Sequence, residues 1–141
     1  MNIRKARIED KDEIFVLLNQ LYENKIKYEI FSKIYETKWN NENSYYIVAI
    51  KDNKIIGVLI MEIFIQLHRA KKTSFIDDLI VKEEYRNNGI GKLLLQNAIS
   101  YAKKQDCELI ELTSFLSNEK AHRFYETNGF KKHSIKFKQY L

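Results

Sequence analysis

The sequence predicts a mixed α/β domain of the α+β type, in which a central mixed sheet is flanked by helices. Two observations support this architecture. Segments whose apolar residues alternate with the period of a strand interleave with segments whose apolar residues recur with the period of a helix. A glycine-containing turn also lies between a β-rich segment and the clearest amphipathic helix, as at the start of a β-α-β unit. The predicted order of elements is β-α-α-β-β-β-α-β-α-β.

The first half of the chain is predicted to contain two helices and four strands. Asp10 lies where an N-cap belongs and Glu13 follows three residues later, as in a capping box, so a helix begins there. A second amphipathic helix is predicted over 28–38. Asp52-Asn53 is a turn signal between two β-rich runs, which therefore form a hairpin. The strands are predicted at 2–8, 45–51, 54–67 and 74–81.

The second half is predicted to contain two helices and two strands. Gly89 opens a helix with one wide apolar face that includes Leu94 and Leu95. The helix predicted over 118–128 is followed by Gly129, which suits a C-terminal cap. The strands are predicted at 108–113 and 130–140.

Length and composition indicate one domain spanning residues 1–141. A chain of 141 residues with 45% hydrophobic residues can bury one core but not two, and it has no repeat or Pro/Gly-rich linker. No apolar stretch is long enough to span a membrane, and the charged N-terminus lacks the apolar block of a signal peptide. The single cysteine rules out an internal disulfide. We therefore expect a cytoplasmic protein without a membrane partner.

The charge pattern does not favour nucleic acid or a metal. The net charge of +5 is compatible with an anionic ligand, with nucleic acid or with neither. Lysines of 130–140 alternate with Ile135 and Phe137, which is more typical of a solvated strand face than of a nucleic-acid patch. The three histidines and the cysteine do not share metal-ligand spacing, so we predict no metal site.

Residues 86–92, called the glycine turn below, form the first candidate site. Two of only four glycines, Gly89 and Gly91, lie here between a strand and a helix. Glycine permits costly backbone angles and close approach of a ligand, and a helix N-terminus offers unpaired N–H groups that suit a phosphate. Arg86 and Lys92 add charged donors. The alternative is that the glycines only cap or bend the chain, because the turn matches neither a Walker A motif nor a dinucleotide fingerprint.

Two blocks of residues resemble the GNAT acetyltransferases. The first is similar to their Arg/Gln-x-x-Gly-x-Gly/Ala signature and runs Val81-x-x-x-Tyr85-Arg86-x-x-Gly89-x-Gly91-x-x-Leu94-Leu95. The second resembles a segment that those enzymes carry about 30 residues later, and it runs Asn118-x-x-Ala121-x-x-Phe124-Tyr125-x-x-x-Gly129-Phe130. Asn87 departs from the glycine that many members have there, but Asn tolerates left-handed backbone angles better than most residues.

The resemblance implies the acyl-CoA N-acyltransferase fold and acetyl-CoA as co-substrate. The glycine turn would then hold the CoA pyrophosphate, and the backbone of the preceding strand would hydrogen-bond the pantetheine arm like an added strand. Asn118 would contact the cofactor beside the next strand. The implied cofactor-binding residues are Leu79, Ile80, Val81, Arg86, Asn87, Asn88, Gly89, Ile90, Gly91, Lys92, Asn118 and Phe124.

The resemblance also implies a general acid. Tyr125 matches the position where family members place a tyrosine next to the thioester sulfur. A phenol with an unperturbed pKa of about 10 is protonated near neutral pH and can donate a proton to the leaving thiolate. The alternative is an aromatic residue that only packs in the core, which is a serious possibility in a chain with nine tyrosines.

Asp77 and Asp78 interrupt an otherwise apolar strand, where carboxylates are costly unless paired or functional. Strand alternation would send them to opposite faces, whereas a bulge would re-aim one of them. The polyamine and glucosamine-phosphate branches of the family show a similar stretch. That resemblance implies that one carboxylate accepts an amine proton through water and the other meets a cationic substrate. The alternative is a solvated edge or a salt bridge to Arg69 or Lys71.

The predicted function is therefore acetyl transfer from acetyl-CoA to a primary amine of a small molecule, such as a polyamine or amino sugar, by direct attack in a ternary complex. A protein or peptide acceptor is the first alternative, and a non-catalytic CoA-binding sensor is the second. Small domains of this family commonly dimerise, and the strand predicted at the C-terminus is the candidate contact for a homodimer.

Overall fold

A five-stranded mixed sheet forms the centre of the fold, in the strand order β1-β2-β3-β4-β5. The computed structural model describes residues 1–141. Neighbouring strands from β1 to β4 pair antiparallel. The strands are β1 (Asn2–Lys5), β2 (Ser44–Lys51), β3 (Lys54–Gln66), β4 (Lys71–Val81) and β5 (Ile110–Leu112).

The structure contains four helices. The chain divides into two compact units, residues 1–111 and 112–141. None of the helices is long and apolar enough to cross a membrane. The helices are α1 (Lys11–Leu21), α2 (Tyr28–Lys38), α3 (Ile90–Lys104) and α4 (Glu119–Thr127), with short 3-10 turns at Ile8–Asp10 and Glu83–Tyr85. The predicted order of elements is confirmed from β1 to α4.

In residues 1–111, α1 and α2 pack on one face of the sheet and α3 packs on the other. Val58 and Ile60 of β3 belong to the core cluster that includes Leu17 of α1 and Tyr35 of α2. Gly57 lies on the opposite face, where a Cβ would be 3.2 Å from a methyl carbon of Leu94 in α3. Strand alternation therefore explains why β3 is apolar on nearly every residue: it is covered on both faces.

Asp10 is the N-cap residue of α1, as predicted, but the predicted capping box with Glu13 is wrong, because the Asp10 side chain makes no cap hydrogen bond to this helix. The Asp10 carboxylate accepts the Arg7 backbone N–H at 2.7 Å and pairs with the Arg4 guanidinium at 2.6 and 2.9 Å. Glu13 reaches the sheet instead, where its Oε2 accepts the Ile55 N–H at 2.9 Å. Both carboxylates have tertiary partners, a guanidinium and a strand amide, that local sequence spacing does not show.

The second unit, residues 112–141, contains α4. Asn118 caps this helix, because its Oδ1 accepts the Ala121 N–H at 3.1 Å. Gly129 follows the helix with φ +93°, as predicted for a C-terminal cap.

The strand predicted over 130–140 is wrong, since these residues have no regular secondary structure. Phe137 and Tyr140 are 90% and 91% exposed. An extended segment becomes a strand only when a neighbour completes its hydrogen-bond ladder, and the alternating lysines favour solvent. A homodimer contact in this region stays a prediction.

Candidate active site

The glycine turn has the backbone conformation of an anion site. Asn87 and Gly89 have φ of +62° and +76°, so both occupy the left-handed region, which asparagine was expected to tolerate at position 87. Gly91 lies inside α3. No side chain caps the N-terminus of α3, and its first turn contains no acidic residue. The first N–H groups of a helix have no intrahelical acceptor, so this end can bind a phosphate, and Lys92 adds a positive charge.

Side-chain hydrogen bonds from Arg86 and Asn88 to nearby backbone carbonyls stabilise the glycine turn. The Arg86 Nε donates to the carbonyl of Val81, at the end of β4, at 2.9 Å. The Asn88 side-chain amide donates to the carbonyls of Tyr85 and Arg86 at 3.3 and 3.2 Å. The turn is therefore tied to the last residue of β4, and the rest of the Arg86 guanidinium remains available for an anion.

A β-bulge at Asp77 places the two consecutive aspartates on one pocket. Asp78 pairs with Ile60 and Ile76 pairs with Met61, so Asp77 is the extra residue of β4 between two adjacent residues of β3. The bulge interrupts the alternation that would have separated the carboxylates, and both line the same cavity. This is the arrangement that the sequence left open, and it brings Asp77 and Asp78 together. Arg69 and Lys71 form ion pairs with Glu108, at 3.7 and 3.6 Å.

The cavity, called the acidic pocket below, has a volume of about 240 Å³. It lies where α2 faces β2, β3 and β4, and three of its four charged residues are acids. Its lining residues are Phe31, Ile34, Tyr35, Lys38, Tyr46, Ile60, Glu62, Asp77 and Asp78.

Tyr22, just after α1, contacts the acidic pocket through Asp78. Its hydroxyl donates to Asp78 Oδ1 at 2.7 Å. Burial raises the pKa of Asp78, and the hydrogen bond from Tyr22 opposes part of that rise. Burial and the neighbouring carboxylate also raise the pKa of Tyr22, so the phenol stays protonated and keeps donating. Tyr22 could not be predicted from the sequence as a partner of Asp78, because 56 positions separate the two residues.

Glu62, which lines the acidic pocket, is a second residue that was not identified from the sequence. Its Oε1 accepts from Lys38 Nζ and from the Tyr46 hydroxyl, each at 3.0 Å, and its Oε2 accepts from Ser44 Oγ at 2.8 Å. A signal was present: Glu62 interrupts the apolar run of β3 as Asp77 and Asp78 interrupt that of β4.

Three further candidate residues lie on α4 or at its N-cap. Tyr125 lies edge-on to Phe124 and to Phe130, with ring centroids 5.2 and 5.8 Å apart. Asn118 uses its Oδ1 to cap the helix, which leaves its side-chain N–H groups for other partners. Within residues 112–141, the helix therefore holds Asn118, Phe124 and Tyr125 on one short rigid element.

Comparison with known proteins identifies the family. The family model described as Acetyltransferase (GNAT) family matches residues 11–130, which is most of the chain. The chain belongs to the GNAT acetyltransferases. As a GNAT enzyme it is an N-acetyltransferase that uses acetyl-CoA, and the uncapped N-terminus of α3, with Lys92 in its first turn, is suited to the pyrophosphate of that co-substrate.

A curated protein and a solved structure are similar to almost the whole chain. The chain is 29% identical over 139 residues to the aminoalkylphosphonate N-acetyltransferase of Salmonella typhimurium, covering 99% of this chain and 90% of that protein. A solved structure described as a transcriptional regulator from Bacillus halodurans C-125 superimposes with a TM-score of 0.92 at 26% identity, over 99% of each chain.

A third relative shows the same GNAT fold. The structure of an aminoglycoside acetyltransferase from an uncultured soil metagenomic sample, in complex with sisomicin, gives a TM-score of 0.83 at 22% identity. The match covers 99% of this chain and 95% of that one. The predicted fold class is therefore confirmed.

Proposed function

We propose that this GNAT enzyme transfers the acetyl group of acetyl-CoA to a primary amine of a small molecule, by direct attack in a ternary complex. The observation that carries this proposal is the acidic pocket. Its two aspartates lie on β4, the strand that leads to the glycine turn. The acceptors named for the Salmonella and metagenomic relatives, an aminoalkylphosphonate and an aminoglycoside, are small amines and support the same class.

The glycine turn serves as the binding site for the co-substrate. In this proposal Arg86, Lys92 and the backbone amides of 87–91 bind the pyrophosphate. The backbone of Leu79–Val81 pairs with the pantetheine arm. Asn118 and Phe124 contribute the contacts that the resemblance to the family implies.

Asp78 is our choice for the base. An amine is protonated near neutral pH and must lose one proton before its nitrogen can attack. Burial raises the pKa of Asp78 toward the pH at which it can take that proton, directly or through water, and Tyr22 fixes the orientation of the carboxylate. Asp77, which is exposed, supplies negative charge to the incoming ammonium.

Tyr125 is our choice for the acid. The new N–C bond forms as the thioester C–S bond breaks, and the sulfur leaves with the electron pair of that bond. Tyr125 donates its phenolic proton to the sulfur, so free CoA thiol is released, and the phenolate regains a proton from solvent. No covalent bond to the enzyme forms in this scheme.

Substitution of Tyr125 tests the mechanism. Tyr125→Phe should lower kcat about tenfold or more, with little change in the Kd for acetyl-CoA, because only the proton donor is lost. The measurement is thiol release with a panel of aminoalkyl acids, polyamines, amino sugars and peptides. Tyr140→Phe is the matched control, since Tyr140 is exposed in the C-terminal segment.

The panel also separates the alternatives. Unchanged turnover by Tyr125→Phe would remove this residue from the mechanism. Thiol release with peptides but with no small amine would indicate a protein acetyltransferase. Saturable acetyl-CoA binding without thiol release for any acceptor would indicate a CoA sensor.

A further inference from the structure

The acidic pocket is not uniformly negative, because it ends at a lysine. Lys38 is the last residue of α2, and its Nζ lies 3.0 Å from Glu62 Oε1. Phe31, Ile34 and Tyr35 precede it at helical spacing on the same wall. The pocket therefore has carboxylates on β4, an apolar wall on α2, and an ammonium group at the end of that wall.

Glu62 is a poor site for a second cation. Its carboxylate already accepts three hydrogen bonds, from Lys38, Tyr46 and Ser44. A carboxylate has about four lone-pair positions, so an incoming ammonium would have to displace one of these donors to gain more than a single contact. A diamine placed with one end at Asp77 and Asp78 thus lacks a matching acceptor for its other end.

Lys38 is suited to an anion. An ammonium group has three N–H donors, and one of them bonds to Glu62 in this structure. The side chain is 47% exposed, so its other donors can turn toward a ligand. Glu62 holds the nitrogen at the pocket wall, which reduces the entropy lost when Lys38 binds.

The spacing and size of the pocket indicate a short acceptor. Ile60 pairs with Asp78 across the sheet, and Glu62 lies two residues further along β3, which is about 7 Å along a strand. The apolar wall between the two charged ends suits a few methylene groups. The cavity, at about 240 Å³, is smaller than a typical drug-sized ligand site of roughly 300–1,000 Å³.

We propose that the acceptor is a short primary amine bearing an anionic group, a phosphonate or a carboxylate, and that Lys38 binds this group while Asp77 and Asp78 receive the amine. The inference rests on the proposed function and specifies its substrate class. Lys38 is thus a specificity-determining residue, whereas the aspartates act on the amine.

The test compares four acceptors of similar length: 2-aminoethylphosphonate, 3-aminopropanoate, propylamine and 1,3-diaminopropane. The native enzyme should favour an anionic acceptor over propylamine by at least about tenfold in kcat/KM, an effect typical of a charge-assisted hydrogen bond. The two anionic arms show whether the phosphonate or the carboxylate is preferred. Equal or better turnover of propylamine or diaminopropane would overturn the proposal.

Variants of Lys38 locate the effect. Lys38→Met should reduce the preference for the anionic acceptor over propylamine at least about tenfold, mainly through KM. Lys38→Glu should shift preference toward 1,3-diaminopropane, and Lys38→Arg should keep most of the native preference. Lys33→Met, on the exposed side of α2, removes the same charge and should leave the preference unchanged. A preference unaltered in Lys38→Met would overturn the assignment of this residue.

A binding measurement separates this inference from the proposed function. Calorimetric titration of 2-aminoethylphosphonate into the full-length protein with CoA should show binding that Lys38→Met weakens about tenfold or more. If no amine gives thiol release but this pattern holds, acetyl transfer to small amines fails while the anion site stands. If thiol release occurs but the ligand binds both proteins equally, the anion site fails while the proposed function stands.

Discussion

The glycine turn and the acidic pocket lie in the same unit of the chain, yet they are built in opposite ways. The turn consists of residues that follow one another in sequence, held by two left-handed backbone positions and by hydrogen bonds that span five residues or fewer. The pocket joins side chains from α2, β2, β3 and β4, and its Asp78 is oriented by Tyr22, 56 residues away. One site is encoded locally, and the other exists only after the chain has folded.

This difference has a functional meaning. In the proposed function, main-chain N–H groups of the turn bind the pyrophosphate, so the sequence there should be constrained by backbone conformation more than by side-chain chemistry. In the same proposal, side chains of the acidic pocket bind the amine and take its proton, so substitutions there should alter which acceptor is used. Substitutions in the turn should therefore change the KM for acetyl-CoA, and substitutions in the pocket should change kcat/KM for the amine.

The largest effect should come from the pocket. Asp78→Asn should lower kcat/KM for the amine by about 100-fold, because an amide cannot take a proton from the ammonium. Steady-state kinetics at saturating acetyl-CoA measure this. Asp52→Asn, in the turn between β2 and β3, is the control for loss of an aspartate elsewhere. A fall of less than threefold would exclude Asp78 as the base and leave Asp77 as the candidate.

A smaller effect is expected in the turn. Gly89→Ala should raise the KM for acetyl-CoA about fivefold, because a residue with a Cβ at φ +76° costs about 1–2 kcal/mol in the native conformation. No atom lies within 4 Å of the position of the new Cβ, so the effect is conformational and not steric.

Gly129→Ala is the matched control for Gly89→Ala. It places a Cβ in a left-handed position, φ +93°, that is equally open. It should lower Tm by a similar amount without raising the KM for acetyl-CoA. Equal effects on KM from both variants would mean that the turn acts through general stability and not through pyrophosphate binding.

The smallest change in activity should come from substituting Tyr22, whose hydrogen bond to Asp78 connects the end of α1 to the acidic pocket. Tyr22→Phe removes a hydrogen bond that lowers the pKa of Asp78, so burial acts unopposed and that pKa rises further. A base must be ionised to act, so the acidic limb of the pH profile of kcat/KM should move to higher pH, with activity at pH 7 reduced about threefold.

Tyr28→Phe is the control for Tyr22→Phe. Tyr28 donates to Asp12 Oδ1 at 2.6 Å, which is a second tyrosine–aspartate pair and lies outside the acidic pocket. Its loss should leave the acidic limb in place. A limb that does not move in Tyr22→Phe, or that moves equally in both variants, would contradict the role assigned to Tyr22.

Features that depend on local patterns were predictable from the sequence, and features that depend on tertiary contacts were not. The order of elements up to α4 depends on local patterns, and the structure confirms it. Asn87, which was expected to tolerate a left-handed backbone angle, has φ +62°. The two aspartates could be singled out from the sequence, because charge inside an apolar strand is a local anomaly. That both carboxylates lie on one face of the sheet could be stated only as one alternative, since it depends on the register of β4 against β3.

The predictions that were wrong or missing concern residues whose role depends on tertiary contacts. Asp10 carries the residue type of an N-cap, but the Arg4 guanidinium competes for it. The segment 130–140 alternates like a strand, but nothing in the chain pairs with it as one. Tyr22 and Lys38 are ordinary surface residues by pattern, and only folding places one against Asp78 and the other at the pocket wall.

Because of the bulge in β4, the number of residues in this strand matters more for the fold than the identity of most of its side chains. Ile76 pairs with Met61, on the face toward α3, whereas Ile80 belongs to the core beneath α1 and α2, although both numbers are even. The extra residue thus changes the phase of the strand between its two halves. Deleting one residue of β4 would reverse the face of the sheet to which each side chain in one half of the strand points. Buried isoleucines would then be exposed, or charged side chains would be buried. Outside Asp77 and Asp78, substitutions in β4 should therefore be better tolerated than the insertion or deletion of one residue.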